Sequence, residues 1–87
     1  MNLSYRILWF EDDKGSFNAK QRLVKRIVNE FGFNFPDPRN EIDGDNLETI
    51  NYKVYDLIIA DLNLSNEKGS SLLDKIRKKD VYTEVIF

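Results

Sequence analysis

The stretch Tyr55–Leu64, which reads YDLIIADLNL, decides the fold of this chain. Within it the apolar residues Leu57–Ala60 run unbroken and without helical spacing, as is typical of a strand buried on both faces of a parallel sheet. We therefore predict a strand over residues 55–60. The strand ends at Asp61, and a carboxylate in that position is costly unless it meets solvent, a metal ion or a positive charge. Asp61 is thus the first candidate functional residue.

Upstream, the apolar run Ile7–Phe10 predicts another buried strand, over residues 5–10. This run also ends on carboxylates, which belong to Glu11, Asp12 and Asp13. Acidic residues can follow strands simply because strand ends are solvated. That explanation becomes less favourable when the two most apolar strands of one chain end in the same way.

Residues 17–31 show the spacing of an amphipathic helix, with polar residues on the opposite face. Ser16 is the candidate N-cap, and Gly32 stands where a C′ glycine would end the helix. The apolar residues of this helix, which we expect to face the core, are Leu23, Val24, Ile27, Val28 and Phe31.

The remaining segments alternate between short strands and short helices. We predict a two- or three-residue edge strand at Phe33–Phe35, because the prolines that follow it are tolerated at a sheet edge. Residues 39–46 are polar and predict a loop. After this loop we expect a weak helix over about 45–51, a helix from about residue 70 that buries Leu72, Leu73 and Ile76, and a fourth strand at Val85–Phe87.

Alternating strands and helices predict one α/β domain over residues 1–87, with parallel strands and right-handed crossovers. The two most apolar strands are expected to lie side by side at the centre, which gives the strand order 2-1-3-4 of a doubly wound sheet. Ligands of such sheets bind beyond the carboxyl ends of the strands, at the point where the strand order reverses. Glu11, Asp12 and Asp61 are predicted to meet there.

Composition excludes several classes of function. The chain has 13 basic and 15 acidic residues, so its net charge of −2 gives no basic surface for nucleic acid. It has no cysteine and no histidine, which excludes disulfides, thiolate or imidazole metal sites and histidine-based acid–base catalysis. It shows neither a signal-peptide pattern nor an apolar run of about 18 residues, so we expect a cytoplasmic protein without membrane contact.

A cluster of carboxylates requires compensation, because neighbouring charges repel by roughly 1 to 4 kcal/mol per pair at about 4 Å. A shared proton would relieve this repulsion, and so would a divalent cation. A site that offers only oxygen ligands favours Mg²⁺, with Mn²⁺ or Ca²⁺ as alternatives.

Together these motifs resemble the receiver domain of two-component response regulators, a CheY-like domain with a flavodoxin-like fold. In that family the first strand ends in an acidic pair, matched here by Glu11 and Asp12, and the third ends in the phosphoacceptor, matched by Asp61. A glycine eight residues later is matched by Gly69, and the helix after it by Leu72–Arg77. The resemblance spans nearly the whole chain, although Glu11 stands where aspartate is commoner.

The resemblance implies that Asp61 accepts a phosphoryl group from a histidine kinase or a phosphotransfer protein. It also implies a Mg²⁺ site formed by Glu11, Asp12, Asp61 and the backbone carbonyl of Asn63, with Asp13 as an alternative ligand to Glu11. Such a domain is a phosphoacceptor that signals by a changed surface, rather than an enzyme that turns over a separate substrate.

In complete receiver domains a Ser or Thr closes the fourth strand, a Lys closes a fifth strand, and further helices cover the sheet. The sequence ends at Phe87, so the resemblance implies the N-terminal part of such a domain, without these residues. We accordingly expect an exposed fourth strand and an uncovered apolar face, through which the chain self-associates.

Two other functions remain open at this point. The chain could be a receiver-like protein-interaction module that is never phosphorylated. A remote alternative is a hydrolase of the haloacid-dehalogenase type, whose nucleophile also follows a first strand. In that case Glu11 would occupy the position of the nucleophile, and the later motifs of that family would have no place in the chain.

Overall fold

The computed structural model describes residues 3–61, 64, 68–80 and 82–86, which form a four-stranded sheet and two α-helices. The strands are β1 (Ile7–Phe10), β2 (Arg39–Glu41), β3 (Leu57–Ala60) and β4 (Glu84–Ile86). The helices are α1 (Lys14–Glu30) and α2 (Gly69–Lys79). Phe87, the last residue of the predicted fourth strand, lies outside the described residues.

The sheet is parallel throughout and has the order β2-β1-β3-β4, which confirms the predicted α/β fold with the 2-1-3-4 order of flavodoxin-like sheets. The central strands β1 and β3 pair in register, with Phe10 opposite Ala60. Both strands therefore end at the same level. The next residue on each strand, Glu11 and Asp61, leaves the sheet from the same edge.

Alternation along β1 distributes its side chains between the two faces of the sheet. Leu8 and Phe10 join the larger core, which also contains Leu72 and Ile76 of α2. Ile7 and Trp9 join a smaller core together with Phe17 of α1, and the Trp9 and Phe17 rings meet edge to face at 5.4 Å. The two helices thus cover opposite faces, as expected for a doubly wound sheet.

The prediction for the second strand is wrong in position. Phe33–Phe35 contributes only a single parallel bridge between Asn34 and Ser4, whereas the strand itself is Arg39–Glu41, in a segment predicted to be a loop. An edge strand buries less of its surface than a central strand, so it can be polar and carries no apolar run. Arg39 and Glu41 also stabilise each other by an ion pair at 3.1 Å.

The weak helix predicted over residues 45–51 is also wrong. The segment instead forms two short 3-10 turns, Leu47–Thr49 and Tyr52–Val54. Asn51 separates them, because its side chain accepts a hydrogen bond from the backbone N–H of Lys53 and starts the second turn. Leu47, Ile50 and Tyr52 are nevertheless buried in the larger core.

Helix α1 begins three residues before the predicted start. Asp13, and not Ser16, is the N-cap, because its side chain accepts a hydrogen bond from the Ser16 backbone N–H at 3.1 Å. At the other end Gly32 has a φ of 88° and donates to Asn29 O, while Phe33 donates to Val28 O. These two bonds form a Schellman motif, so the prediction of a C′ glycine is confirmed.

The apolar face of α1 is only partly covered. Val28 is buried, but the side chains of Ile27 and Phe31 remain 53% and 76% exposed. They border an apolar groove of about 320 Å³, whose other lining residues are Tyr5, Ile7, Val24, Val28, Phe33 and Leu57.

Within the described part of the chain, neither helix is long and apolar enough to cross a membrane.

Candidate functional site

Three carboxylates converge at the carboxyl ends of the two central strands. Glu11 and Asp12 directly follow β1, and Asp61 directly follows β3. Each offers one oxygen atom, and these three atoms lie within 4.8 Å of one another. The predicted meeting of the three side chains is therefore present, and the parallel pairing of β1 with β3 is its cause.

Glu11 is the buried member of this carboxylate cluster, with only 2% of its surface exposed. Its Oε1 atom forms an ion pair with Nζ of Lys20 at 3.3 Å. Its Oε2 atom is buried and has no hydrogen-bond donor among the described residues. A buried carboxylate oxygen without a donor lowers the stability of the folded state, so this atom requires a partner that the described residues do not supply.

The backbone of Glu11 is held in place by β2. Its N–H donates to the carbonyl of Glu41 at 2.9 Å, so the parallel pairing continues one residue beyond β1. Its carbonyl accepts from Nδ2 of Asn40 at 3.0 Å, and the same amide group donates to the carbonyl of Trp9 at 3.2 Å. These bonds fix the position from which the Glu11 side chain enters the site.

Asp12 and Asp61 are partly exposed, in contrast to Glu11. The N–H of Asp61 donates to the carbonyl of Phe10 at 3.0 Å, which ties the end of β3 to the end of β1. Because both side chains reach solvent, a molecule that approaches from outside can contact them while Glu11 lies beneath.

The two remaining predicted ligands have different positions. Asp13 is exposed and uses its Oδ1 atom to cap α1, and it is not one of the three residues whose oxygen atoms converge. Asn63, whose backbone carbonyl was predicted as a ligand, lies outside the described residues.

The residues of the cluster fit a hard divalent cation. All of the ligand atoms are carboxylate oxygens, which is the donor set that Mg²⁺ prefers. Glu11, one of the three residues, also carries the buried Oε2 atom that has no donor among the described residues. A cation here would offset the repulsion among three carboxylates and would supply the partner that Oε2 lacks.

Sequence reasoning missed two residues of the site, Lys20 and Asn40. Lys20 is nine residues after Glu11, and the helix that starts at Lys14 brings its second turn back over the end of β1. If Asp13 had been recognised as the N-cap, the helix would have been predicted to start at Lys14, and Lys20 would then have been expected near the end of β1. Asn40 was missed because its strand was predicted as a loop, and no feature of the sequence marks it.

A second cleft lies at the opposite end of the strands. Its volume is about 570 Å³, and it is lined by residues that precede β3, by the end of α2 and by the turn before β4. Its lining contains no member of the carboxylate cluster. The cleft is therefore separate from the candidate site.

A scan against protein-family models, a search of curated proteins and a search of solved structures each return no match for this chain. The carboxylate cluster at the ends of β1 and β3 therefore has to be interpreted from its own geometry and chemistry.

Proposed function

We propose that this chain is a receiver-type phosphoacceptor module of two-component signal transduction, in which Asp61 accepts a phosphoryl group from a histidine kinase or a phosphotransfer protein. The observation that supports this proposal is the convergence of Glu11, Asp12 and Asp61 within 4.8 Å at the ends of the central strands. That position is the point where the strand order reverses, which is the usual ligand site of doubly wound sheets.

Each member of the cluster has a distinct role in the proposal. Asp61 is the nucleophile, since it is partly exposed and ends β3. Glu11 and Asp12 are the metal ligands, and the Asn63 carbonyl completes the protein ligands implied by the resemblance. A bound Mg²⁺ would neutralise the cluster and stabilise the negative charge that develops on the phosphoryl oxygens.

The reaction is a transfer of the phosphoryl group from nitrogen to oxygen. A carboxylate oxygen of Asp61 attacks phosphorus with its lone pair, an O–P bond forms, and the N–P bond of the phosphohistidine donor breaks. The released imidazole nitrogen keeps the electron pair of the broken bond. Asp61 reacts as the carboxylate anion, so it gives up no proton in this step.

The test uses phosphoramidate and Mg²⁺ as a small-molecule donor, with intact-protein mass spectrometry as the readout. We expect a mass increase of one phosphoryl group in the wild-type protein and none in Asp61→Asn. Asp37→Asn is the matched control, because Asp37 is an exposed aspartate outside the cluster, and this variant should gain the phosphoryl group. An unmodified wild-type protein under these conditions would refute the proposal.

An interaction module that is not phosphorylated is the second candidate. The observation that favours it is the exposed apolar groove beside α1, where Phe31 is 76% exposed. The phosphoramidate experiment separates the two candidates, because only the first requires an adduct on Asp61. Under the first function we place the protein in the cytoplasm, where phosphotransfer partners act.

A further inference from the structure

Lys20 places a positive charge directly on the candidate site. It lies in the second turn of α1, and its Nζ atom is 3.3 Å from Oε1 of Glu11. No function derived so far uses this lysine. Its partner is the one cluster carboxylate that is buried.

The two partners of this ion pair differ in their freedom to move. The Glu11 side chain is 3% exposed and its backbone is fixed by Glu41 and Asn40. The Lys20 side chain is 57% exposed. Without its partner the buried Glu11 carboxylate would be left uncompensated, so the exposed ammonium group can leave it at a small cost only when another cation takes its place.

The two oxygens of Glu11 also differ in their surroundings. Oε1 holds Lys20, whereas Oε2 is buried without a donor among the described residues. A divalent cation that binds the cluster would withdraw negative charge from the whole carboxylate. The attraction between Glu11 and Lys20 would then weaken, and the two positive charges would repel each other.

We propose that Lys20 is the anion-positioning residue of this site. Without a divalent cation it pairs with Glu11, and with the cation bound it turns toward solvent and pairs with phosphoryl oxygens presented to Asp61. The Lys20 side chain is 57% exposed, which leaves it room to rotate away from Glu11. This inference rests on the proposed function for the identity of the anion. The effect of Lys20 on the binding of Mg²⁺ and of phosphate can nevertheless be measured without phosphoryl transfer.

The proposal predicts opposite effects of one substitution on two binding equilibria. In Lys20→Met the competitor for Glu11 is lost, so Mg²⁺ should bind more tightly, by about two- to fivefold, as expected for an exposed ion pair. The same variant lacks the lysine ammonium group that would pair with the phosphate oxygens. Inorganic phosphate should therefore bind to the Mg²⁺-loaded protein more weakly by about tenfold or more, as expected for loss of one charge-assisted hydrogen bond.

The experiment measures both equilibria by isothermal titration calorimetry, first with Mg²⁺ alone and then with inorganic phosphate at saturating Mg²⁺. Lys20→Arg keeps the charge and should behave like the wild-type protein in both titrations. Lys25→Met is the matched control, since Lys25 is an exposed lysine on the same helix, and it should leave both affinities unchanged.

The outcomes separate this inference from the proposed function. Weaker binding of both ligands in Lys20→Met would show that the lysine only supports the fold of the site, and unchanged binding of either ligand would also overturn the inference. If the opposite effects are observed but phosphoramidate gives no adduct in the wild-type protein, the proposed function fails while the role of Lys20 in anion binding stands.

Discussion

At the scale of single residues, Glu11 determines the energetics of the site. It is almost fully buried, one of its oxygens meets Lys20, and the other meets no donor among the described residues. In the absence of a cation this arrangement destabilises the folded protein, because a buried charge is only half compensated and two further carboxylates lie nearby. The stability of the protein should therefore depend on divalent cations.

The substitution Glu11→Gln tests this dependence. Without Mg²⁺ we expect the free energy of unfolding to rise by about 1 kcal/mol, because the relief of repulsion exceeds the loss of a half-exposed ion pair. With Mg²⁺ at about ten times its dissociation constant, the wild-type protein should gain about 1.4 kcal/mol and the variant less. Urea unfolding with and without Mg²⁺ measures both effects.

Glu30→Gln provides the control for the loss of one acidic charge, since Glu30 is exposed at the end of α1. Its unfolding free energy and its response to Mg²⁺ should match those of the wild-type protein. Equal stabilisation of wild-type and Glu11→Gln proteins by Mg²⁺ would contradict a cation site at Glu11.

The members of the carboxylate cluster could be predicted from sequence, but their surroundings could not. Glu11, Asp12 and Asp61 follow the two strongest apolar runs, and parallel pairing of these runs places their ends together. The contact of Lys20 depends on the exact start of α1 and on a side-chain rotamer, neither of which an apolar pattern encodes.

At the scale of elements, the turn between α2 and β4 is organised by Asp80. Its Oδ1 accepts from the Tyr82 N–H and its Oδ2 from the Thr83 N–H, while Arg77 donates to the carbonyls of Asp80 and Thr83. Burial alone would raise the pKa of Asp80, but the hydrogen bonds from Thr83 and Tyr82 and the charge of Arg77 favour the anion, so its pKa lies below the usual 3.8.

The lowered pKa of Asp80 makes the stability of this turn pH-dependent. A carboxyl group with a lower pKa in the folded state stabilises the protein above its unfolded-state pKa, and this contribution is lost as the pH falls through the folded-state pKa. We expect Asp80→Asn to lower the unfolding free energy by about 1 kcal/mol at neutral pH. The difference from wild type should shrink as the pH falls below about 4.

Urea unfolding of both proteins between neutral pH and about pH 2 measures this difference. Asp74→Asn serves as the control, because Asp74 is an exposed aspartate on α2. It should differ little from wild type at any pH. A constant deficit of Asp80→Asn across the whole range would show that the charge of Asp80 is not involved.

The elements that sequence predicted well and those it predicted poorly differ in burial. β1 and β3 are central and enclosed by helices on both faces, so only apolar side chains suit them, and this constraint is visible in the sequence. β2 lies at an edge and its three residues are all half-buried and polar. Its identity is set by its pairing with β1 and not by its own composition.

At the scale of the whole molecule, two surfaces are suited to contact with another chain. One is the groove beside α1, bordered by the exposed side chains of Ile27 and Phe31. The other is the outer edge of β4, where Ile86 is 45% exposed and only β3 pairs with the strand in the described part of the sheet. Exposed apolar patches and open strand edges both favour association.

We therefore expect the protein to self-associate in a concentration-dependent manner. Ile27→Asp should weaken this association about tenfold or more, because a buried apolar contact would be replaced by a charge that must be desolvated. Sedimentation velocity over a range of protein concentrations measures the effect. Val54→Asp is the control, since Val54 is an exposed apolar residue outside the groove.

A wild-type protein that sediments as a monomer at every concentration would contradict self-association. Equal weakening by Ile27→Asp and Val54→Asp would instead show that added negative charge, rather than the groove, governs association. If Ile27→Asp leaves association unchanged, the groove is not the contact, and the edge of β4 is the surface that remains.

The side-chain amide of Asn40 links the rim of the sheet to the carboxylate cluster, since it holds the carbonyls of Trp9 and Glu11 together. Edge strands open more often than central ones, and such local opening can be followed by amide hydrogen exchange. Whenever β2 detaches, the Glu11 carbonyl loses its donor and the Glu11 N–H loses its acceptor, Glu41, in the same event. The exchange rate of the Glu11 amide therefore reports how readily β2 opens, and each opening removes the backbone hydrogen bonds that position the buried carboxylate.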